Sequence, residues 1–237
     1  DARMLTVLTS PAALSHELLR PGWNARAILR RAATAEPRRH ALIDTGALVT
    51  GLSNAEAASF LLSTGLSSFE ACVYLEGGRK LVLRRGGGPP LTLERCGVQP
   101  ARRFVFFDHV HTTGTDVELP AHARAFLTVG KDVTFRDLAQ GAFRMRRVGA
   151  GQRVTLLVPP ELARQIREQA ALGRCDSPEA AAAAAAAACA SDNAAAAAAA
   201  TADSPAASGG RAGSDGFLRD ACAWAVVNGL ASESLQL

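Results

Sequence analysis

The 237 residues contain no G-x-x-x-x-G-K-[ST] phosphate loop, so this chain cannot hold and hydrolyse a nucleotide alone through that element. No C-x-x-C pair occurs either. The five cysteines (Cys72, Cys96, Cys175, Cys189 and Cys222) fall at irregular spacings, which argues against a zinc site and a disulfide framework. Cys72 and Cys96 lie in apolar, strand-like surroundings and read as reduced core thiols of an intracellular protein, cytoplasmic or nuclear. No signal peptide opens the chain, and no apolar run reaches the roughly 18 residues of a membrane span. No membrane partner is therefore expected. Lysine-rich blocks are missing: Lys80 and Lys131 are the only lysines. The first residue is Asp1, and the chain is expected to be part of a longer protein.

Arginine takes the place of lysine. Pairs recur at Arg30-Arg31, Arg38-Arg39, Arg84-Arg85, Arg102-Arg103 and Arg146-Arg147, and the net charge is +4 with a pI near 9.1. This mild basicity is compatible with a nucleic-acid or nucleotide partner, and equally with solvated turns. The apolar fraction of 48% is inflated by alanine, so the residues able to build a core are concentrated before about position 170.

Residues 1–40 read as a helical segment broken at Pro21-Gly22, with a basic helix from about Asn24 to Thr34. His40-Ala-Leu-Ile-Asp-Thr-Gly46 suits a buried parallel strand closing on a glycine turn. Ser53-Asn-Ala-Glu56 has the spacing of a capping box and predicts a helix through Leu62. Ala71–Leu75 and Lys80–Arg84 flank Gly77-Gly78 and predict a hairpin. Phe104–Asp108 and Ala123–Val129 predict strands, Phe135–Arg147 a helix, Arg153–Val158 a last strand and Glu161–Leu172 a closing helix. This alternation argues for an α/β sheet over 41–175, with ligands expected at the strands' carboxyl ends near Asp108, Gly114 and Asp116. Residues 176–216 collapse to alanine, serine and glycine and read as a disordered or fraying-helical insertion. A helix over about 217–230 is expected to dock back through Phe217, Leu218, Trp224 and Val227.

Three segments carry candidate chemistry. Asp108-His-Val-His111 ends its strand as D-x-x-H, and Asp108 is a weak magnesium-ligand candidate because His109 stands where a second carboxylate would be needed. In Thr112-Thr-Gly-Thr-Asp116, Thr113 can donate to a phosphate, Gly114 lets backbone approach it, and Asp116 can hold an arginine. Gln140-Gly-Ala-Phe-Arg-Met-Arg-Arg147 places arginines four and seven positions after a glutamine, ahead of Gly149, Gly151 and a strand. On a helix, Arg144 and Arg147 would share one face and present two guanidinium forks to one anion. The last two segments resemble, in order, the T-x-x-x-x-x-G-x-D and Q-x-x-G-R-x-G-R motifs of superfamily-two helicases. That resemblance implies a RecA-like second lobe, with Gln140, Arg144 and Arg147 as nucleotide contacts and the two arginines as trans-acting fingers. Phe143 and Arg146 replace two of the motif's glycines.

Phe106-Phe-Asp-His-Val-His-Thr-Thr-Gly-Thr-Asp116 and Asp137-Leu-Ala-Gln-Gly-Ala-Phe-Arg-Met-Arg-Arg147-Val-Gly-Ala-Gly-Gln152 together resemble the C-terminal region of a family of very large eukaryotic proteins known as ubiquitinyl hydrolases, placed with OTU-type deubiquitinases. Ala41-Leu-Ile-Asp-Thr-Gly-Ala47 and Ala223-Trp-Ala-Val-Val-Asn228 extend the resemblance over most of the chain outside 176–216. It implies a thiol-dependent deubiquitinase as parent, with ubiquitin or ubiquitinated protein and the parent's upstream domains as partners. No cysteine here has the Asp-Gly-x-Cys context of an OTU nucleophile, and Asp220-Ala-Cys222, which comes nearest, lacks the glycine. The nucleophile is thus expected upstream, and His16, His40, His109, His111 and His122 are candidate bases by availability alone. This chain would supply a degenerate helicase-like lobe without a cofactor of its own. The alternatives are the second lobe of a nucleic-acid-dependent ATPase, using ATP and magnesium held by an upstream lobe, or a catalytically dead nucleic-acid-binding lobe.

Overall fold

The computed structural model describes residues 2–111, 116–175 and 211–234, with a few positions between 179 and 190. In chain order the elements are α1 (Ala2–Leu8), β1 (Leu14–Leu18), α2 (Ala25–Ala33), β2 (Ala41–Ile43), α3 (Asn54–Thr64), β3 (Ala71–Glu76), β4 (Arg79–Arg84) and β5 (Leu91–Thr92). They continue with β6 (Arg103–Phe107), β7 (Arg124–Thr128), α4 (Phe135–Ala142), β8 (Arg153–Val158), α5 (Pro160–Leu172) and α6 (Arg211–Ser234). The strands form one sheet in the order β1-β8-β7-β2-β6-β3-β4-β5. The first six in that order run parallel, and β4 and β5 close one edge in antiparallel fashion.

Every residue of β2 and β6 is buried, as expected of parallel strands covered on both faces. Alternation along β6 divides the core. Val105 and Phe107 join Ile43, Leu127 and Leu156 under α1, α4, α5 and α6. Phe104 and Phe106 join Leu42, Phe126 and Leu157 under α2 and α3. The result is a three-layer α/β/α arrangement. Helix starts follow local chemistry: Ser53 and Glu56 form the reciprocal capping box of α3, and Thr134 and Asp137 form that of α4. The hairpin turns at Gly77 and Gly78, both with positive φ.

Three expectations are corrected. The 1–40 segment is not all helical, because Leu14–Leu18 forms the edge strand β1 on β8. Its partner lies far along the chain, and its Ser15-His16-Glu17 centre gives no continuous apolar run. The helix expected over 135–147 ends at Ala142, beyond which i→i−3 hydrogen bonds carry the chain through turns that bury Met145 completely. Cys96 is buried, but it caps a short 3-10 turn (Leu93–Arg95) and does not lie in a strand. The alanine-rich insertion falls largely outside the described residues, and the positions described between 179 and 190 are helical. Helix α6 packs on α4, α5 and β1, burying Phe217, Leu218 and Trp224 and leaving Val227 half exposed at 50%. Among the described residues, no helix is long and apolar enough to cross a membrane.

Candidate functional site

The strand order reverses at β2. Its successor β3 lies beyond β6 on one side, while β7 and β8 lie on the other. In parallel α/β sheets such a switch point opens a crevice at the strands' carboxyl ends. Here the turn Asp44-Thr45-Gly46 leaves β2 at that position. Asp44 is 1% exposed. Its Oδ1 accepts from the Leu48 N–H (2.9 Å) and the Thr128 hydroxyl (2.6 Å), and its Oδ2 accepts from the Val49 N–H (3.0 Å). The Thr128 hydroxyl oxygen in turn accepts from the Gly46 N–H at 3.0 Å. A buried carboxylate supplied with three donors is a structural tie.

The turn is also closed sterically. A Cβ on Gly46 would lie 2.3 Å from the Gly130 nitrogen, and one on Gly141 of α4 would lie 2.3 Å from the Thr45 Oγ1. Gly46, Gly130 and Gly141 therefore allow two loops and a helix to meet where a ligand cradle would otherwise open. Asp44, Thr128 and Gln152 were not singled out from the sequence. Asp-Thr-Gly at a strand end was the available signal for the first, but its partner Thr128 lies 84 residues away.

The arginine segment is organised by turns. Arg144 Nε donates back to the Gln140 carbonyl at 3.5 Å. Burial, and then the neighbouring Arg146, lower the Arg144 guanidinium below its ordinary range, with Asp116 opposing. Arg146, not Arg144 or Arg147, donates to Asp116 (3.1 Å), and both partners are more than half exposed. That ion pair contributes little stability, roughly 0–1 kcal/mol, and its value is in linking the two motif segments. Gln152, 2% exposed, latches the turn: its Oε1 accepts from the Arg147 N–H (2.8 Å) and its Nε2 donates to the Pro120 carbonyl (2.8 Å). Gly149 and Gly151 supply the positive φ that the turn requires. Arg147 and Gln140 are exposed. Since the helix stops at Ala142, the shared helical face expected for Arg144 and Arg147 is replaced by successive turn positions.

Thr113 and Gly114 lie outside the described residues. Asp108 follows β6 as expected and is partly buried. The pairing of Ile43 with Phe107 sets it level with Asp44, whose carboxylate is already committed to its own loop. Among the described residues, no group of three or more His, Cys, Asp or Glu side chains could hold a metal ion.

The thiols and imidazoles are also placed. Cys72, Cys96 and Cys222 are buried and free. Burial raises the Cys72 thiol strongly and pushes the Cys222 thiol up to about 11. His40 is lowered to about 4 by burial and by Arg38, His122 and Arg124. His16, stacked on Phe217 with ring centroids 4.2 Å apart, is lowered to about 4 by burial and by Arg167. No family model matches the chain, and neither curated proteins nor solved structures give a match.

Proposed function

We propose that this chain is the RecA-like second lobe of a large ubiquitinyl hydrolase-family protein, acting as a degenerate helicase-like scaffold while the peptidase nucleophile lies upstream. The observation that carries this reading is the Arg146–Asp116 contact, which joins the two segments bearing the resemblance across 30 residues of chain. The order β8-β7-β2-β6-β3, with the earliest of these strands central, is compatible with a RecA-like sheet. The thiols point the same way. A peptidase cysteine needs a stabilised thiolate and a base that titrates near neutrality, whereas burial raises Cys72 and Cys222 and holds His16 and His40 neutral.

A second reading, the arginine-bearing lobe of a nucleic-acid-dependent ATPase, draws on the exposure of Arg147 beyond the end of α4. ATP, magnesium and the phosphate loop would then belong to the upstream lobe. Treating the full-length protein with a ubiquitin-based thiol probe and measuring its ATP turnover separates the two. The scaffold reading expects labelling, with any turnover unchanged by Arg147→Ala. The ATPase reading expects that substitution to lower turnover by roughly 10³-fold or more, as for an arginine finger. Failure to label, together with Arg147-dependent turnover, overturns the scaffold reading.

A further inference from the structure

A polar cleft of about 150 Å³ opens away from the switch point, between the end of α2 and the turn that follows α3. Arg38 and Arg39 line it together with Thr34, Ser67, Ser68 and Phe69. The Arg38 guanidinium lies 5.5 Å from the centre of the Phe69 ring. The guanidinium of Arg39 lies 4.5 Å over Phe126, and that of Arg31 lies 5.2 Å over the same ring. Two cations thus share one aromatic support, and only Arg31 has a carboxylate in direct contact, with Glu17 acting on Arg39 from farther away. Arg31 makes a two-pronged pair with Glu17 (2.5 and 2.8 Å). The Nε–H of Arg39 is buried without a hydrogen-bond partner. Among the described residues, no carboxylate lies within ion-pair distance of Arg38 or Arg39.

The cleft also receives the carboxyl ends of α2 and α3, which carry partial negative charge. Those carbonyls are already occupied. Arg85 takes the carbonyls of Leu62, Gly65, Leu66 and Phe69, Leu66 N–H donates to Ala33, and Thr34 donates to Arg30. Glu36 also lines the cleft, on its exposed rim. The lining thus brings Arg38 and Arg39 together with the exposed Ser67 and Ser68, and neither arginine has a carboxylate in direct contact among the described residues. An arginine fork with hydroxyl donors fits a tetrahedral dianion.

We propose that this cleft binds a phosphate monoester, gripped by Arg39 and Arg38 and hydrogen-bonded by Ser67 and Ser68. Burial and the neighbouring Arg31 and Arg124, opposed by Glu17, lower Arg39 to about 10, a cost that a bound dianion offsets. The small volume of the cleft favours a single phosphoryl group over the repeating phosphodiesters of a nucleic acid. Its source is either a small phosphorylated metabolite or a phosphorylated side chain of another protein.

The test is calorimetric titration of the whole chain with inorganic phosphate, a phosphoserine peptide, the same peptide unphosphorylated, and a single-stranded oligonucleotide. Saturable phosphate binding is expected, weakened roughly tenfold or more by Arg39→Gln and by Arg38→Gln. The exposed Arg38 variant keeps the test independent of any folding defect at Arg39, and circular dichroism checks both. A phosphopeptide that binds tighter than inorganic phosphate assigns the site to a phosphorylated protein, and equal affinity assigns it to a small phosphate. The proposal is overturned by absence of saturable phosphate and phosphopeptide binding, by binding that survives both substitutions, or by preferential capture of the oligonucleotide.

Discussion

Replacing Asp44 by alanine strips the turn after β2 of the acceptor that organises it. The Leu48 N–H, the Val49 N–H and the Thr128 hydroxyl all lose their partner. Each is a hydrogen bond to an ionised group, roughly 1.5–3 kcal/mol net. Leu48 and Val49 are only partly buried, so water recovers part of their loss, whereas Thr128 is fully buried and recovers none. The expected destabilisation is roughly 3–5 kcal/mol, a fall in Tm of roughly 6–20 °C for a chain of this size. Asp44→Asn keeps one acceptor but turns an NH2 toward a donor, for a loss of roughly 2–3 kcal/mol. Urea unfolding followed by far-ultraviolet circular dichroism gives both values, provided the m-value is unchanged. Pairing Asp44→Asn with Thr128→Val should give a coupling of roughly 0.5–2 kcal/mol. A loss below about 1 kcal/mol for Asp44→Ala, within the range of ordinary surface changes, would falsify the claim that this carboxylate closes the switch point.

Gly46→Ala drives a Cβ into the Gly130 backbone and should cost roughly 1–3 kcal/mol in urea unfolding, whereas Gly216→Ala, with open space around it, should cost nothing. Gln152→Ala opens the latch on the arginine turn. Hydrogen exchange at the amides of 147–152 should accelerate at least tenfold, and unchanged protection would show that the glycines alone hold the turn. His16 and His40 have folded values near 4 against an ordinary 6.5. The unfolded chain therefore binds more protons between those values, so stability is complete above about pH 6.5 and falls as pH drops toward about 4. Urea midpoints across that range should decline, and His40→Gln should flatten the decline. An equally steep profile in that variant would remove His40 from the account.

Much of the sheet was legible because its strands announce themselves locally. Phe104–Phe107 and Val154–Val158 are short apolar runs, and Ser53 with Glu56 marks the start of α3 within four residues. Strand β1 was not legible. Leu14-Ser-His-Glu-Leu18 has little local strand character and exists because Val154–Val158 offers it a ladder. The arginine spacing continues the helical period past Ala142, whereas i→i−3 hydrogen bonds to Gly141 and Ala142 turn the chain there and Met145 enters the core. At the candidate site the sequence supplied the parts but not their pairing. Asp116 was expected to hold an arginine, and only the folded turn selects Arg146 over Arg144 and Arg147.

The pairing of β1 with β8 bears on how the protein emerges from the ribosome. Leu14 meets Val154 and Ser15 meets Thr155, a separation of 140 residues. At typical synthesis rates, that interval lasts roughly 7–30 s. Throughout it, β1 has no strand to join, while β3 and β4 can pair as a hairpin and β6, once made, can join β2 to β3. The edge strand is thus made before the other seven and paired only once β8 appears, and a nascent-chain chaperone would meet it as an unpaired segment beside a half-built sheet.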